Sequence, residues 1–432
     1  MKPKLLGLQR KRVSNVTHYL FRYPAKFHPP VVDTLLQLYT QRGDIVLDPF
    51  VGSGTTLVET SISGRGGVGL DIDPVAVAVA RAKTRKYDLN EVNSVVAQLI
   101  HTLESIERPA EEYEHRQFVD LDEAEYEKVI ANEGLWVPEI PRLFHWFRRY
   151  VIVDLARLLQ IVREVNASER TRLFLEIVFA SIIRNSSNAD PVPVSGLEYT
   201  AHMRRRDAAG RLVNPFALFR AALKKAQSAI AEYASLLPLD VEEPVVIRGD
   251  AKQLPAEAIG EVDAVLTSPP YHNAVDYYRR HQLEMFWLGY TTTASERLSL
   301  LPHYIGRPRI PMKDPLLRAP WQSGPLATMW ETRIRKESAQ RANDFRHYVQ
   351  SMTLAFEGIA KLCKADSPVL MVVGHSSWNG DKIPTADLFA EIAHDFALED
   401  IFFYPVKNRY MSYARRNLAS IDEEYVLVFR RM

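Results

Sequence analysis

Disulfides, membrane spans and an overall charge bias are all missing from this sequence. Cys363 stands alone in 432 residues, so no intrachain disulfide can form and a reducing cytoplasm is the expected setting. No apolar run is long enough to cross a bilayer. The start, Met1-Lys2-Pro3-Lys4-Leu5, is basic but lacks the apolar stretch of a secretion signal. Formal net charge is +1, so total charge does not point to nucleic acid, and any electrostatic footprint must be local. The 12 histidines show no ligand-like pairing with acids or cysteine, and no metal site is expected. Internal repeats and low-complexity tracts are lacking too.

What remains is an ordinary globular composition, 47% apolar and 25% charged, in a chain long enough for one large elaborated domain or two. After a basic tail, Pro29-Pro30 opens a helix over Val31 to Tyr39. Asp44 to Asp48 reads as a buried strand ending in an acid. Gly52-Ser53-Gly54-Thr55-Thr56 turns into a helix, Gly66 to Asp71 is a second strand ending in an acid, and Asp73-Pro74 caps the next helix. This order is a parallel βαβ signature. Helical periodicity then runs over Ile140 to Val165, Glu169 to Ile183 and Phe216 to Leu237. Strands return at Val245 to Ile247, ending near Asp250, and at Val262 to Leu266. Thr292 to Gln340, rich in Pro, Arg and Trp, reads as irregular. Asp344 to Leu362 and Thr385 to Phe396 are helical, and Val369 to Val373, Ile401 to Tyr404 and Tyr425 to Phe429 are closing strands.

Two segments carry chemistry. In Asp48-Pro49-Phe50-Val51-Gly52-Ser53-Gly54, glycines in a strand-to-helix turn let backbone approach a ligand closely. No Lys-Ser/Thr follows Gly54, and an acid opens the turn, so a phosphate loop is disfavoured and a cationic ligand favoured. Asp71 stands where a dinucleotide fold holds ribose hydroxyls, and Asp250 stands where an adenine amine could donate. Each acid singly also reads as a cap or turn former. Their joint order describes a site for a cationic adenosyl ligand. The second segment is Thr267-Ser268-Pro269-Pro270-Tyr271. Singly it is a Pro-Pro turn after a buried strand. Beside the first it is a rigid rim of acceptors with an aromatic plate, suited to a planar base bearing an exocyclic NH₂.

D-P-F-V-G-S-G-T-T followed by T-S-P-P-Y resembles the S-adenosylmethionine-dependent DNA amino-methyltransferases, which act on the N4 of cytosine or the N6 of adenine. Tyr23-Pro24-Ala25-Lys26-Phe27-His28-Pro29 resembles the segment that packs beside the methionine part of the cofactor. Asn408 to Phe429, with Arg415, Arg416, Glu423 and Glu424, resembles the closing hairpin and its loop. The resemblance implies an α/β, Rossmann-like methyltransferase fold: a mostly parallel seven-stranded sheet, an antiparallel closing strand and a largely helical insertion. Residues 1–90, 241–290 and 344–432 would form the methyltransferase domain, with insertions at 91–240 and 291–343. S-adenosylmethionine would be the cofactor. Asp48, Gly52 and Gly54 would cradle its methionine moiety, with Phe27, Pro49, Phe50 and Thr55 beside them. Asp71 with Ile72 would take the ribose, and Asp250 with Ala251 the adenine. Ser268 and Pro269 would accept the hydrogens of the target amine, Pro270 would stiffen the rim, and Tyr271 would stack on a flipped base. Ser268 stands where many members have Asp, which favours cytosine N4.

Double-stranded DNA is the implied partner, and a cognate restriction endonuclease or defence system is a companion the resemblance leaves open, as it does oligomeric state. Basic residues for DNA are sought in three places: Arg184 to Arg211, with Arg204, Arg205 and Arg206; Tyr304 to Lys336, with Arg307 and Arg309; and Arg279 with Arg280, just past Tyr271. A solvated basic loop is the plain reading of the first two runs, while Arg279 and Arg280 are expected to contact phosphate near the flipped nucleotide. Adenine N6 methylation, methylation of an RNA base amine, and a catalytically silent DNA-binding subunit stand as alternatives.

Overall fold

The structure, a computed structural model, describes residues 3–8, 16–24, 26–191, 196–272, 276–321, 323–406 and 423–432. Ala25 and the stretch holding Asn408, Arg415 and Arg416 lie outside them. Ten strands follow in chain order: β1 (Lys4–Leu5), β2 (Ile45–Asp48), β3 (Gly66–Asp71), β4 (Val245–Arg248), β5 (Ala264–Thr267), β6 (Pro368–Val373), β7 (Ser376–Trp378), β8 (Asp381–Ile383), β9 (Phe396–Pro405) and β10 (Glu423–Arg431). β7 and β8 pair as a small hairpin, and the other eight form one sheet in the order β1-β9-β10-β6-β5-β2-β3-β4.

Within that sheet β10 is antiparallel to both β6 and β9, while the other pairings are parallel. The central strands β2, β5 and β6 are nearly continuous apolar runs, as strands covered on both faces must be. From β2 the chain moves outward to β3 and β4, then returns to β5 on the other side of β2. The direction of sheet growth reverses there, which opens a crevice at the carboxyl ends of β2 and β5.

Helices cover both faces. Val31, Val32, Leu35 and Leu36 of the helix Pro29–Tyr39 pack on one. The helices Pro325–Glu337, Ala339–Ala360 and Thr385–Ile392 pack on the other. The insertion between β3 and β4 builds its own core from Arg149–Glu164, Glu169–Ser186 and Pro215–Leu236, and merges it with the helix Pro74–Thr84.

Four sequence expectations change. The sheet has eight strands, not seven, because part of the supposed basic tail forms β1: Leu6 is buried and Lys4 pairs with Asp400 at 2.7 Å. The periodic stretch from Ile140 to Val165 is interrupted at Phe147, whose backbone is extended. The stretch 292–340 is not irregular throughout: it holds the helices Ala294–Leu300, Pro315–Arg318 and Pro325–Glu337. The polar stretch from Arg184 to Arg211 contains the helix Ala201–Ala208.

Gly54 starts the helix Thr55–Ile62 at φ +79°, and a Cβ there would lie 3.0 Å from the Ala80 backbone. Gly54→Ala combines left-handed strain with a backbone clash. It is expected to lose about 1–3 kcal/mol in urea unfolding, whereas Ala at Gly260, where nothing lies within 4 Å, loses less.

Candidate active site

β2 and β5 lie in register, Val46 beside Ala264 and Leu47 beside Val265, so their ends, Asp48 and Thr267, meet. Asp48 is 2% exposed. One of its oxygens accepts from the Thr267 hydroxyl at 2.6 Å and the Phe50 amide at 3.1 Å. The other accepts from the Thr56 hydroxyl at 2.6 Å. Burial pushes this carboxyl up to about 6 against those hydrogen bonds. Asp48 thus fastens the Gly turn and the following helix to the strand that delivers Ser268.

The acid ending β3 pins the same turn. Asp71 accepts from the Gly52 amide at 2.9 Å and from the Asp73 amide at 2.9 Å. Burial, and then the charge of Asp73, raise it to about 7. Gly52 sits at φ +47°, and a Cβ there would come within 3.3 Å of the Tyr23 ring. Beyond β4, Asp250 accepts from the Lys252 amide at 3.0 Å and from His303 Nδ1 at 2.9 Å, and pairs with the Lys252 ammonium at 3.0 Å. Burial raises its carboxyl, but Lys252 and His303 outweigh that and hold it below the usual range.

The three acids open onto one cleft of about 830 Å³, its open mouth included. Phe27, Pro49, Phe50, Gly52 and Thr55 line it, as do Ile72 and Ala251, and its far wall carries Ser268 and Pro270. The two motifs, far apart in sequence, therefore face one hollow. Gly54 is not in the lining, and its role is the close approach to Ala80. Pro269 is buried behind the rim. The Tyr271 hydroxyl donates to Glu424 at 3.0 Å, and Tyr404, opposite Glu424 across β9 and β10, donates to its other oxygen.

A sequence model of the DNA methylase family matches residues 4–82. The Type II methyltransferase M.MjaII of Methanocaldococcus jannaschii is 21% identical over 63% of this chain and 62% of its own length. The Type II methyltransferase M.BsoBI of Geobacillus stearothermophilus is 21% identical over 94% of this chain and 83% of its own. The family model and these relatives support an S-adenosylmethionine-dependent DNA amino-methyltransferase family for this chain. Among solved structures, the rRNA methyltransferase AviRa of Streptomyces viridochromogenes matches over 98% of this chain and 94% of its own. Identity is 11% and the TM-score 0.34, a likeness that carries no argument about function.

The methyl donor of this amino-methyltransferase family is S-adenosylmethionine, and the cleft fits it by its chemistry. Asp71 keeps acceptor capacity for hydroxyl donors. Ile72, Phe50 and Ala251 beside Asp250 offer apolar contact with an acceptor for a purine amine. Acids and the faces of Tyr23 and Tyr277, stacked at 5.8 Å between centroids, suit a positive centre.

Several lining residues escape sequence reasoning. Tyr277 lines the cleft, and His281, one helical turn on, is buried behind the lining. His281 Nδ1 meets Asp73 at 2.8 Å, and the His281 ring lies 4.8 Å from that of Tyr23. The spacing i, i+4 after the Pro-Pro motif is the signal that could have found them. His303, Tyr304 and Ile305 enter from the insertion read as irregular, where no period marks them.

The basic candidates divide by exposure. Arg279 and Arg309 are exposed, as are Arg204, Arg205 and Arg206. Arg280 is 4% exposed, and burial beside Arg184 brings its guanidinium down to about 10. Arg307 is also buried, bonded to Asp314 at 3.2 Å. The structure thus corrects the expectation that Arg280 and Arg307 contact DNA, since neither guanidinium is presented at the surface. Among the described residues no helix is long and apolar enough to cross a membrane.

Glu424→Ala leaves two tyrosine hydroxyls without their acceptor. It is expected to cost about 1–3 kcal/mol in urea unfolding, and Glu424→Gln, which can still bond both, less than half as much. Equal losses would show that the carboxylate does not hold Tyr271.

Proposed function

We propose that the chain transfers a methyl group from S-adenosylmethionine to the exocyclic N4 of cytosine in double-stranded DNA, acting in the cytoplasm on a base turned out of the helix. The observation that carries this reading is the position of Ser268, on the wall of the cleft that Asp71, Asp250 and the Gly52 turn also line. Bound S-adenosylmethionine supplies an electrophilic methyl group on a sulfonium. The work left to the protein is to make a poor nucleophile better and to hold it in line.

An exocyclic amine is a weak nucleophile because its lone pair is conjugated with the ring. The Ser268 hydroxyl and the Pro269 carbonyl, accepting its two N–H bonds, favour a pyramidal nitrogen and localise the lone pair. Pro269 and Pro270 fix φ and bring no competing N–H, so the acceptors hold still. Positioning and electrostatics then supply the help, with no covalent enzyme intermediate. A base inside a duplex cannot reach this rim and must leave the stack. Tyr271, held through its hydroxyl by Glu424, offers a fixed plate against the base. Such stacking is worth about 1–3 kcal/mol. Serine in place of aspartate at the head of the motif goes with cytosine N4 in the family, and supports that base over adenine. On this reading 1–90, 241–290 and 344–432 form the methyltransferase domain, and 91–240 with 291–343 serve target recognition.

The test is direct. The purified chain is incubated with labelled S-adenosylmethionine and mixed-sequence duplex DNA, RNA or neither, and the polymer is digested to nucleosides. N4-methylcytosine from DNA is expected. N6-methyladenine overturns the base assignment, label in RNA alone overturns the DNA assignment, and no transfer with cofactor bound overturns the enzymatic reading.

Asp71 gives a second test. Ribose hydroxyls donate to its ionised form, so binding releases the proton held by a carboxyl with a pKa of about 7. Affinity for S-adenosylhomocysteine, measured by calorimetry, should be flat above that pH and fall below it, approaching tenfold per pH unit. Asp71→Asn should bind more weakly and lose the dependence. An unchanged profile in that variant removes Asp71 from the ribose site.

A further inference from the structure

We infer that the exposed face of the helix Ala201–Ala208, with the apolar knuckle beside it, is the surface on which duplex DNA lies next to the target base. This rests on the DNA-methylating reading above and assigns the contact to one part of the insertion.

The helix carries Arg204, Arg205 and Arg206 in succession, all exposed, and its one buried residue is Met203. Consecutive positions step about 100° around a helix, so the three guanidiniums fan across its solvent side. Arg204 lies over the Tyr199 ring at 5.4 Å, which props it outward. Among the described residues Arg205 and Arg206 have no acidic partner. The one acid in the helix, Asp207, is already taken by Arg211 at 2.6 Å, Arg148 at 3.3 Å and the Tyr199 hydroxyl at 2.6 Å. The local charge is therefore positive and uncompensated, in a chain whose total is near zero.

Beside the helix stands a knuckle of Phe118, 68% exposed, and Leu212, 54% exposed. It is braced. Gly210, at φ +83°, lies so close to the Phe118 ring that a Cβ would come within 2.5 Å of it. Arg148 donates to the carbonyls of Gln117 at 3.0 Å and Arg211 at 3.3 Å, tying the two turns together. A rigid apolar point rimmed by arginines suits a partner with a polyanionic edge and an apolar groove floor, which is a nucleic-acid duplex.

The placement ties this surface to the chemistry. Thr200 caps the helix and bonds Asp190 at 2.7 Å. Buried Arg184 grips the carbonyls of Asp190 at 2.8 Å, Gly196 at 3.1 Å and Arg280 at 3.4 Å. Exposed Arg279 reaches the Leu197 carbonyl at 3.4 Å. The loop bearing the basic helix is thus fastened to the segment that follows Tyr271 in the chain.

The experiment measures binding of a fluorescein-labelled duplex to the full chain by anisotropy across a salt series, with S-adenosylhomocysteine affinity as a check on folding. The variant Arg204→Gln/Arg205→Gln/Arg206→Gln should bind at least tenfold more weakly at low salt. The slope of log affinity against log salt should become shallower by about 2–3, near 0.9 for each phosphate that the variant no longer neutralises. Phe118→Ser should weaken binding at every salt concentration with the slope unchanged. Wild-type binding with an unaltered slope in the triple variant overturns the surface and leaves the methylation reading standing. A wild-type chain that binds S-adenosylhomocysteine but no duplex at any salt overturns both.

Discussion

The carboxylate of Asp48 is the point on which the rest of the site depends. It is buried, and its two oxygens take three donors from three segments: the turn after β2, the helix Thr55–Ile62 and the end of β5. A buried carboxylate is expensive unless its acceptors are filled, so the geometry around it is tightly determined. The turn that lines the cleft and the strand that presents Ser268 to it cannot move independently. Asp71, bonded to the Gly52 amide, locks the same turn from the other side.

The charge plan separates two surfaces. Inside the cleft, acids gather at strand ends, so burial brings Asp48 to about 6, and burial with the charge of Asp73 brings Asp71 to about 7. Outside, arginines of the insertion face solvent. A net charge of +1 hides an arrangement in which a cationic small molecule and a polyanion would each meet the opposite sign. Total charge is silent because it sums 54 basic and 53 acidic residues wherever they lie.

Much of this is legible from the residues. Strands ending in Asp48 and Asp71, and the run into Ser268, stand out because buried parallel strands are short, apolar and stopped by turn formers. The meeting of the two motifs follows from their order. What cannot be read is burial of charge: Arg280 and Arg307 look in sequence like any exposed arginine, yet Arg280 is buried beside Arg184 and Arg307 is buried on Asp314. The helix Pro325–Glu337 is hidden because proline and arginine mask its period, although Ala327, Trp330 and Ile334 keep helical spacing on the buried side. β1 escapes because two residues hold no pattern. Only the open edge of β9 makes Lys4 and Leu5 a strand.

The bond between Thr267 and Asp48 spans 219 positions of sequence. During synthesis, the first half of the cleft must therefore leave the ribosome and wait, with Asp48 still lacking one of its donors, until the whole helical insertion has been made. Contacts this distant form late and slowly. A nascent chain stalled within the insertion would carry the glycine turn but no finished hollow. Methyl-donor binding would then begin only when the second half of the sheet has docked.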